Sequence, residues 1–175
     1  IKDYTHEIIS IGHRNPQGLF FDKENNIIIE TEHGPKGGDE INLIKLNSSN
    51  VNKLPNYGWP IVSYGKHYDE KTNIKYPLKK NHKSNGFIEP IHSFVPSIGI
   101  SEISKINNNL YVVSSLKDKS LYLFKLDKKN KITDLNRIEI FERIRDISFK
   151  NKNLYLFFED TTSIGIINFD KININ

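Results

Sequence analysis

Of the 25 lysine and arginine residues in this chain, only four are arginine: Arg14, Arg137, Arg143 and Arg145. Elsewhere lysine serves wherever a generic surface cation is wanted. Arg143-Ile144-Arg145 has the spacing that, on a strand, places two side chains on one face, where both can meet a single planar anion. The guanidinium fork captures carboxylates in a bidentate way that an ammonium does not. Two like charges on one face repel unless an anion or an acid lies between them. Glu142 and Asp146 are the acids nearest in sequence, so a surface ion-pair ladder stays open as the alternative. Arg14-Asn15, within Gly-His-Arg-Asn-Pro-Gln-Gly-Leu at 12–19, is the second such place, with a simple turn into a strand as its alternative. The arginine usage points to an anionic ligand.

The elements that must position these groups read as strands. Leu19–Phe21, Ile27–Ile29, Asn42–Leu46, Leu110–Ser114, Leu121–Leu126, Ile138–Phe141, Ile147–Phe149, Leu154–Phe158 and Ile164–Phe169 are short, rich in Ile, Leu, Tyr and Phe, and bounded by Asn, Asp, Lys and Gly clusters. No window sustains a helical apolar period with caps, so long helices are not expected. Asn26, Asn109 and Asn153 each open a strand after a polar turn, with offsets of 83 and 44 residues. A unit of about 40–45 residues is the size of a four-stranded propeller blade, and the chain holds roughly four such units. The long first gap contains Gly58 to Pro96, which either hides a blade or is an insertion.

Composition excludes several classes. There is no cysteine, hence no disulfide or thiolate chemistry, and no methionine among the 175 residues. A chain that opens on Ile1 without an initiator reads as part of a longer protein, with Lys171-Ile172-Asn173-Ile174-Asn175 as its C-terminal tail. No apolar run reaches the roughly 18 residues of a membrane span, and no signal peptide is visible. The net charge of +4 is spread along the chain and reads as a solvated surface, not a nucleic-acid footprint. The histidines show no metal-ligand spacing, and nucleophile elbow, phosphate loop and dinucleotide fingerprint are all absent.

Three segments in order, Gly12–Leu19, Thr-Glu-His-Gly-Pro-Lys-Gly-Gly-Asp-Glu-Ile-Asn at 31–42 and Asn-Tyr-Gly-Trp-Pro at 56–60, resemble the soluble pyrroloquinoline-quinone (PQQ) sugar dehydrogenases, the glucose/sorbosone dehydrogenase family. The resemblance implies an all-β fold, a six-bladed β-propeller, of which residues 1–175 would be the C-terminal part: an incomplete propeller of roughly four blades, with the N-terminal blades missing. It implies PQQ and calcium as cofactors and oxidation of a sugar's anomeric hydroxyl to a lactone. A small-molecule sugar is then the substrate, and the compartment periplasmic or secreted. The electron acceptor is left open, and a homodimer is compatible with the family.

By the same resemblance, Arg14 and Asn15 contact the quinone cofactor, as does Lys117 in Ser114-Ser115-Leu116-Lys117, while Arg143 and Arg145 clamp its carboxylates. Gly34 and Pro35 correspond to a loop whose backbone carbonyls hold calcium, a choice that suits an ion taking oxygen ligands; an ordinary Gly/Pro hairpin is the alternative. Glu40 and Tyr57 correspond to a second, structural calcium site, with Tyr57 offering a main-chain oxygen. The connection between them, through Asn47-Ser48-Ser49-Asn50, is longer than in the glucose enzyme, and Asp39 and Glu40 could instead be turn and strand-edge charges. Phe94-Val95-Pro96-Ser97-Ile98 stands where the family often carries a tryptophan, and Trp59 is expected to pack below the calcium loop. The base histidine of the family falls in the N-terminal blades, so no catalytic residue is assigned here. Two rival readings share the propeller: a non-enzymatic extracellular binding module, and a calcium-dependent lactonase-type hydrolase. The retained arginines argue against the first, and a loop offering carbonyls where side-chain acids would be needed argues against the second.

Overall fold

The computed structural model describes residues 5–46 and 54–169; the 47–50 connection and the 171–175 tail lie outside the described residues. Eleven strands form three antiparallel sheets. The first holds β1 (Pro16–Asp22), β2 (Ile27–Glu32), β3 (Asp39–Lys45) and β4 (His92–Phe94). The second is the meander β5 (Ile100–Asn107), β6 (Leu110–Ser115), β7 (Ser120–Leu126) and β8 (Ile132–Glu139). The third joins β9 (Ile144–Lys150), β10 (Asn153–Phe158) and β11 (Ser163–Asn168). The only helices among the described residues are α1 (Glu70–Lys75) and a 3-10 turn at Lys83–Asn85.

The expected four blades' worth of sequence is thus three sheets among the described residues. Residues 54–91 lie between β3 and β4 as loop, α1 and the 3-10 turn, so this stretch is an insertion and not a hidden blade. That insertion also explains the doubled repeat offset, because β2, β6 and β10 are each the second strand of their sheet in chain order. The turn before β2 gives its Asn a local role that Asn109 and Asn153 do not share, since neither of those takes a positive φ. Asp22 Oδ1 accepts the amides of Glu24 and Asn25 at 3.1 and 3.2 Å, and Asn26 takes φ +50°, which Asn tolerates better than most residues.

Sheet alternation builds two cores from one strand. Tyr111 and Val113 of β6 face Ile29, Ile41, Ile100 and Phe124, between the first and second sheets. Leu110 and Val112, pointing the other way, pack with Ile144, Ile147, Leu154 and Leu156 of the third. A strand buried on both faces must read as a continuous apolar run, as Leu-Tyr-Val-Val does. The third sheet has only one such face: Tyr155, Phe157, Ile164 and Ile166 are exposed.

Contacts between sheets fix the direction of their first strands. Near the start of each, Thr31 Oγ1 donates to the Ser101 carbonyl at 2.5 Å, and Ser101 Oγ donates to the Ile144 carbonyl at 2.6 Å. At the far end, Lys105 Nζ and the Tyr111 hydroxyl donate to Asp22 Oδ2 at 2.9 and 2.5 Å. Strands β1 and β5 therefore run the same way, and β5 lies between β1 and β9. One end of the molecule collects the starts of β1, β5 and β9 together with the β2–β3, β6–β7 and β10–β11 turns.

Candidate cofactor and cation site

All the residues expected to hold a cofactor fall at that end. Arg14 precedes β1, Gly34-Pro35 is in the β2–β3 turn, Lys117 in the β6–β7 turn, and Arg143 and Arg145 flank the first residue of β9. Up to 131 residues of chain separate them, so it is the order of the sheets that brings them to one side.

Arg14 and the Gly34 turn are built as a unit. Arg14 Nη1 donates to the carbonyls of His33 and Gly34 at 3.0 and 2.9 Å. Its guanidinium lies 5.2 Å from the Trp59 ring centroid, a cation–π contact. Trp59 therefore covers Arg14 beside the turn, as a structural role for this ring requires. The backbone amides of Arg14 and Asn15 donate to Glu32 Oε2 at 2.5 and 3.3 Å, which anchors the segment to β2. Asn15 itself is exposed and accepts from Gln17 at 3.1 Å through Oδ1. Gly34 has no room for a side chain: a Cβ would lie 1.9 Å from the Gly38 carbonyl oxygen. The insertion braces the same turn, with the Lys66 amide donating to the Lys36 carbonyl at 3.0 Å. The two adjacent carbonyls that converge on Arg14 are thus those of His33 and Gly34; of the expected pair Gly34 and Pro35, only Gly34 takes part.

Behind this turn lies a buried polar face. Register pairs Glu30 with Asn42 and Glu32 with Glu40 across β2 and β3, so alternation puts all four on one side. Each is buried. Burial, then the Glu32 charge, pushes Glu40 up to about 8 and Glu30 up to about 9. His82 Nε2 stands 3.4 Å from Glu40 Oε1, and burial pushes that imidazole down. Glu40 therefore holds its proton near neutrality in the absence of a cation. Tyr57 lies against the same face, stacked on His13 with centroids 4.6 Å apart, and its hydroxyl donates to the Leu43 carbonyl at 2.7 Å. That leaves its main chain, not its phenol, as the group to offer a cation. The reading of Asp39 and Glu40 as turn and edge charges fails: both are buried, and Asp39 Oδ2 accepts the amides of Gly99 and Ile100 at 2.7 and 3.0 Å.

Arg143 and Arg145 do share one face and do converge on one carboxylate. It belongs to Glu159 of the β10–β11 turn, reached by Arg143 Nη2 at 3.1 Å and Arg145 Nη2 at 3.0 Å. The acid between them is thus neither Glu142 nor Asp146, because only the neighbouring turn projects over that face. Both arginines hold Glu159 below the usual carboxylate range. Lys117 is exposed in the β6–β7 turn, its backbone amide bonded to the Ile98 carbonyl at 3.0 Å. Arg137 of β8 reaches the same turn, where it pairs with Asp118 at 2.7 Å. Glu30, Glu32, Asn42 and His82 went unnoticed in the sequence; the alternations Glu30-x-Glu32 and Glu40-x-Asn42 were the available signal.

The geometry agrees with what the chain is similar to. The glucose/sorbosone dehydrogenase family profile matches residues 2–167. Over 150 residues the chain is 32% identical to the aldose sugar dehydrogenase YliI of Escherichia coli, covering 81% of this chain and 38% of that protein. A shorter stretch of 56 residues is 48% identical to quinoprotein glucose dehydrogenase B of Acinetobacter calcoaceticus, covering 32% of this chain and 10% of that protein. Among solved structures, the soluble aldose sugar dehydrogenase of Escherichia coli in its apo-form superposes with a TM-score of 0.71 at 27% identity, over 89% of this chain and 44% of that one. The chain spans well under half the length of these relatives. It belongs to the glucose/sorbosone dehydrogenase family.

Proposed function

We propose that this chain carries the cofactor side of a PQQ- and calcium-dependent aldose dehydrogenase that oxidises the anomeric hydroxyl of a sugar to a lactone. The observation that carries the reading is the gathering of Arg14, Gly34-Pro35, Lys117, Arg143 and Arg145 at one end of the sheets. The residues fit the groups. Glu159 places a carboxylate between Arg143 and Arg145, where a carboxylate of a planar polyacid would sit. The Gly34 carbonyl accepts from Arg14, so calcium bound there would take the place of that guanidinium on the oxygen. Support for a quinone comes from the quinoprotein relative, and for an aldose substrate from YliI.

In this reading Arg143, Arg145 and Lys117 bind the cofactor's carboxylates, and Asn15 hydrogen-bonds beside Arg14. Gly34 and Pro35 hold calcium through main-chain oxygens, and Glu40 with the Tyr57 main chain holds a structural calcium. PQQ, when bound, supplies the two-electron acceptor that takes hydride from the sugar. The chain's own contribution is positive charge fixed beside that acceptor, of the kind that stabilises developing negative charge without reorganisation. The base that removes the hydroxyl proton is expected outside these residues, and general base catalysis typically contributes about 10²–10⁴-fold. No helix among the described residues is long and apolar enough to cross a membrane; a periplasmic or secreted location is part of the proposal.

The test is dye reduction by a protein of full family length that carries these 175 residues. Aldose-dependent reduction is expected only with both PQQ and calcium, and none from the 175-residue chain alone. Reduction that persists without PQQ, or sugar oxidation by the isolated chain, would overturn the assignment.

A further inference from the structure

A second group of ligand-type atoms lies on the buried polar face behind the Gly34 turn. His13 Nδ1 stands 3.6 Å from Glu30 Oε2 and 3.7 Å from Glu32 Oε1. All three atoms lie within 4.8 Å of one another. These separations are too long for a hydrogen bond from the ring, and His13 Nδ1 has no hydrogen-bond partner. The other ring nitrogen, Nε2, is held by Ser10 Oγ at 3.0 Å. A histidine that ligates a metal through one nitrogen engages a fixed partner through the other.

Two further buried polar atoms of the same side chains lack a hydrogen-bond partner. Glu30 is 3% exposed and its Oε1 has no hydrogen-bond partner; Asn42 is 0% exposed and its Oδ1 has none. Asn42 Nδ2, by contrast, donates to Glu30 Oε2 at 3.2 Å and to Glu32 Oε1 at 2.8 Å. It thereby holds the very oxygens that face His13. Buried charged groups are paired or coordinate metals, and no lysine or arginine side chain reaches Glu30 or Glu32 among the described residues' ion pairs. An ion equidistant from the three atoms would sit roughly 2.1–2.4 Å from each, close to the 2.0–2.2 Å of zinc with nitrogen and carboxylate ligands.

We propose that His13, Glu30 and Glu32 form a site for a divalent transition-metal ion of the zinc type, with Ser10 and Asn42 orienting the ligands. The imidazole separates this site from a calcium site built of oxygens alone. Its location fits a structural role: Glu32 anchors the Arg14 segment, and Tyr57 of the insertion stacks on His13. The ion would tie the segment before β1 and the insertion to β2. The proposal does not rest on the PQQ reading.

The experiment titrates the chelator-treated chain with Co²⁺ as a spectroscopic probe, then displaces it with Zn²⁺, following visible ligand-field absorption and the melting temperature. One equivalent of saturable binding is expected, and Zn²⁺ should raise the melting temperature. His13→Gln and Glu30→Gln should each weaken binding at least about tenfold, the lower limit seen even for outer-shell losses. Glu40→Gln should leave it intact, which separates this site from the calcium reading. Because Glu30→Gln is close in shape to the protonated Glu30 side chain, that variant should melt close to wild type in chelator and gain nothing from Zn²⁺. The two readings together distinguish lost binding from lost folding. No saturable Co²⁺ binding, binding unchanged in His13→Gln, or displacement by equimolar Ca²⁺ would each overturn the proposal.

Discussion

Replacing Thr31 with valine tests how the first two sheets are held in the arrangement that gathers the site. Thr31 is fully buried; its Oγ1 accepts the Gly18 amide at 2.9 Å and donates to the Ser101 carbonyl at 2.5 Å. Valine has nearly the same shape but leaves both groups without this partner. An unsatisfied buried donor or acceptor costs about 1–3 kcal/mol. The pair should therefore cost roughly 2–6 kcal/mol, less about 1 kcal/mol from the added apolar group, a net loss of roughly 1–5 kcal/mol. For a chain of this size that corresponds to a fall of roughly 2–20 °C in melting temperature. Thr31→Ser keeps the hydroxyl and loses one methyl, worth about 1 kcal/mol. Thermal unfolding followed by circular dichroism should rank wild type above Thr31→Ser, and Thr31→Ser above Thr31→Val. Hydrophobic burial alone predicts the reverse order for the two variants. A valine variant as stable as wild type would refute the hydroxyl bridge.

Other consequences concern acid stability and the Gly34 turn. Burial alone would raise Asp22, but hydrogen bonds from Tyr111, Asn25 and Lys105 hold it well below the usual carboxylate range. Its contribution is therefore complete above about pH 4 and lost as pH falls through the lower folded value; melting temperature should drop more steeply below pH 4 in wild type than in Asp22→Asn. At the Gly34 turn, Lys36→Ala should leave calcium binding nearly unchanged in calorimetric titration, because the proposed ligands are backbone oxygens. Gly34→Ala should abolish it, since a Cβ meets the Gly38 carbonyl oxygen at 1.9 Å, and replacing Pro35 with a flexible residue should weaken it.

Strands with clear alternation or a continuous apolar run were legible in the sequence, as β6, β7 and β10 were. Strands β4 and β5 were not. His92–Phe94 is only three residues long, and β5 carries Ser101, Glu102, Ser104 and Lys105, whose polarity masks a buried position between β1 and β9. Ser101 is there for its bonds to Ser114 and to the Ile144 carbonyl, a reason visible only once three sheets meet. The doubled offset between Asn26 and Asn109 left Gly58 to Pro96 open as a blade or an insertion, and only the structure, with no strand between β3 and β4 among the described residues, decides for the insertion. At the site, Arg14 and Gly34 were legible from their motifs. The acid between Arg143 and Arg145 was not, since Glu159 reaches them from the next turn and not from their own strand.

In the proposed function, Arg143, Arg145 and their neighbours form an anion site for PQQ beside calcium. Its most direct test is PQQ titrated into the calcium-loaded protein, comparing wild type with Arg143→Ala and Glu159→Gln. A hydrogen bond to a charged group is worth about 1.5–3 kcal/mol, so Arg143→Ala should raise the dissociation constant roughly 10- to 150-fold. Glu159→Gln removes the competing carboxylate and should lower it. Equal affinity in wild type and Arg143→Ala, or weaker binding in Glu159→Gln than in Arg143→Ala, would contradict the account.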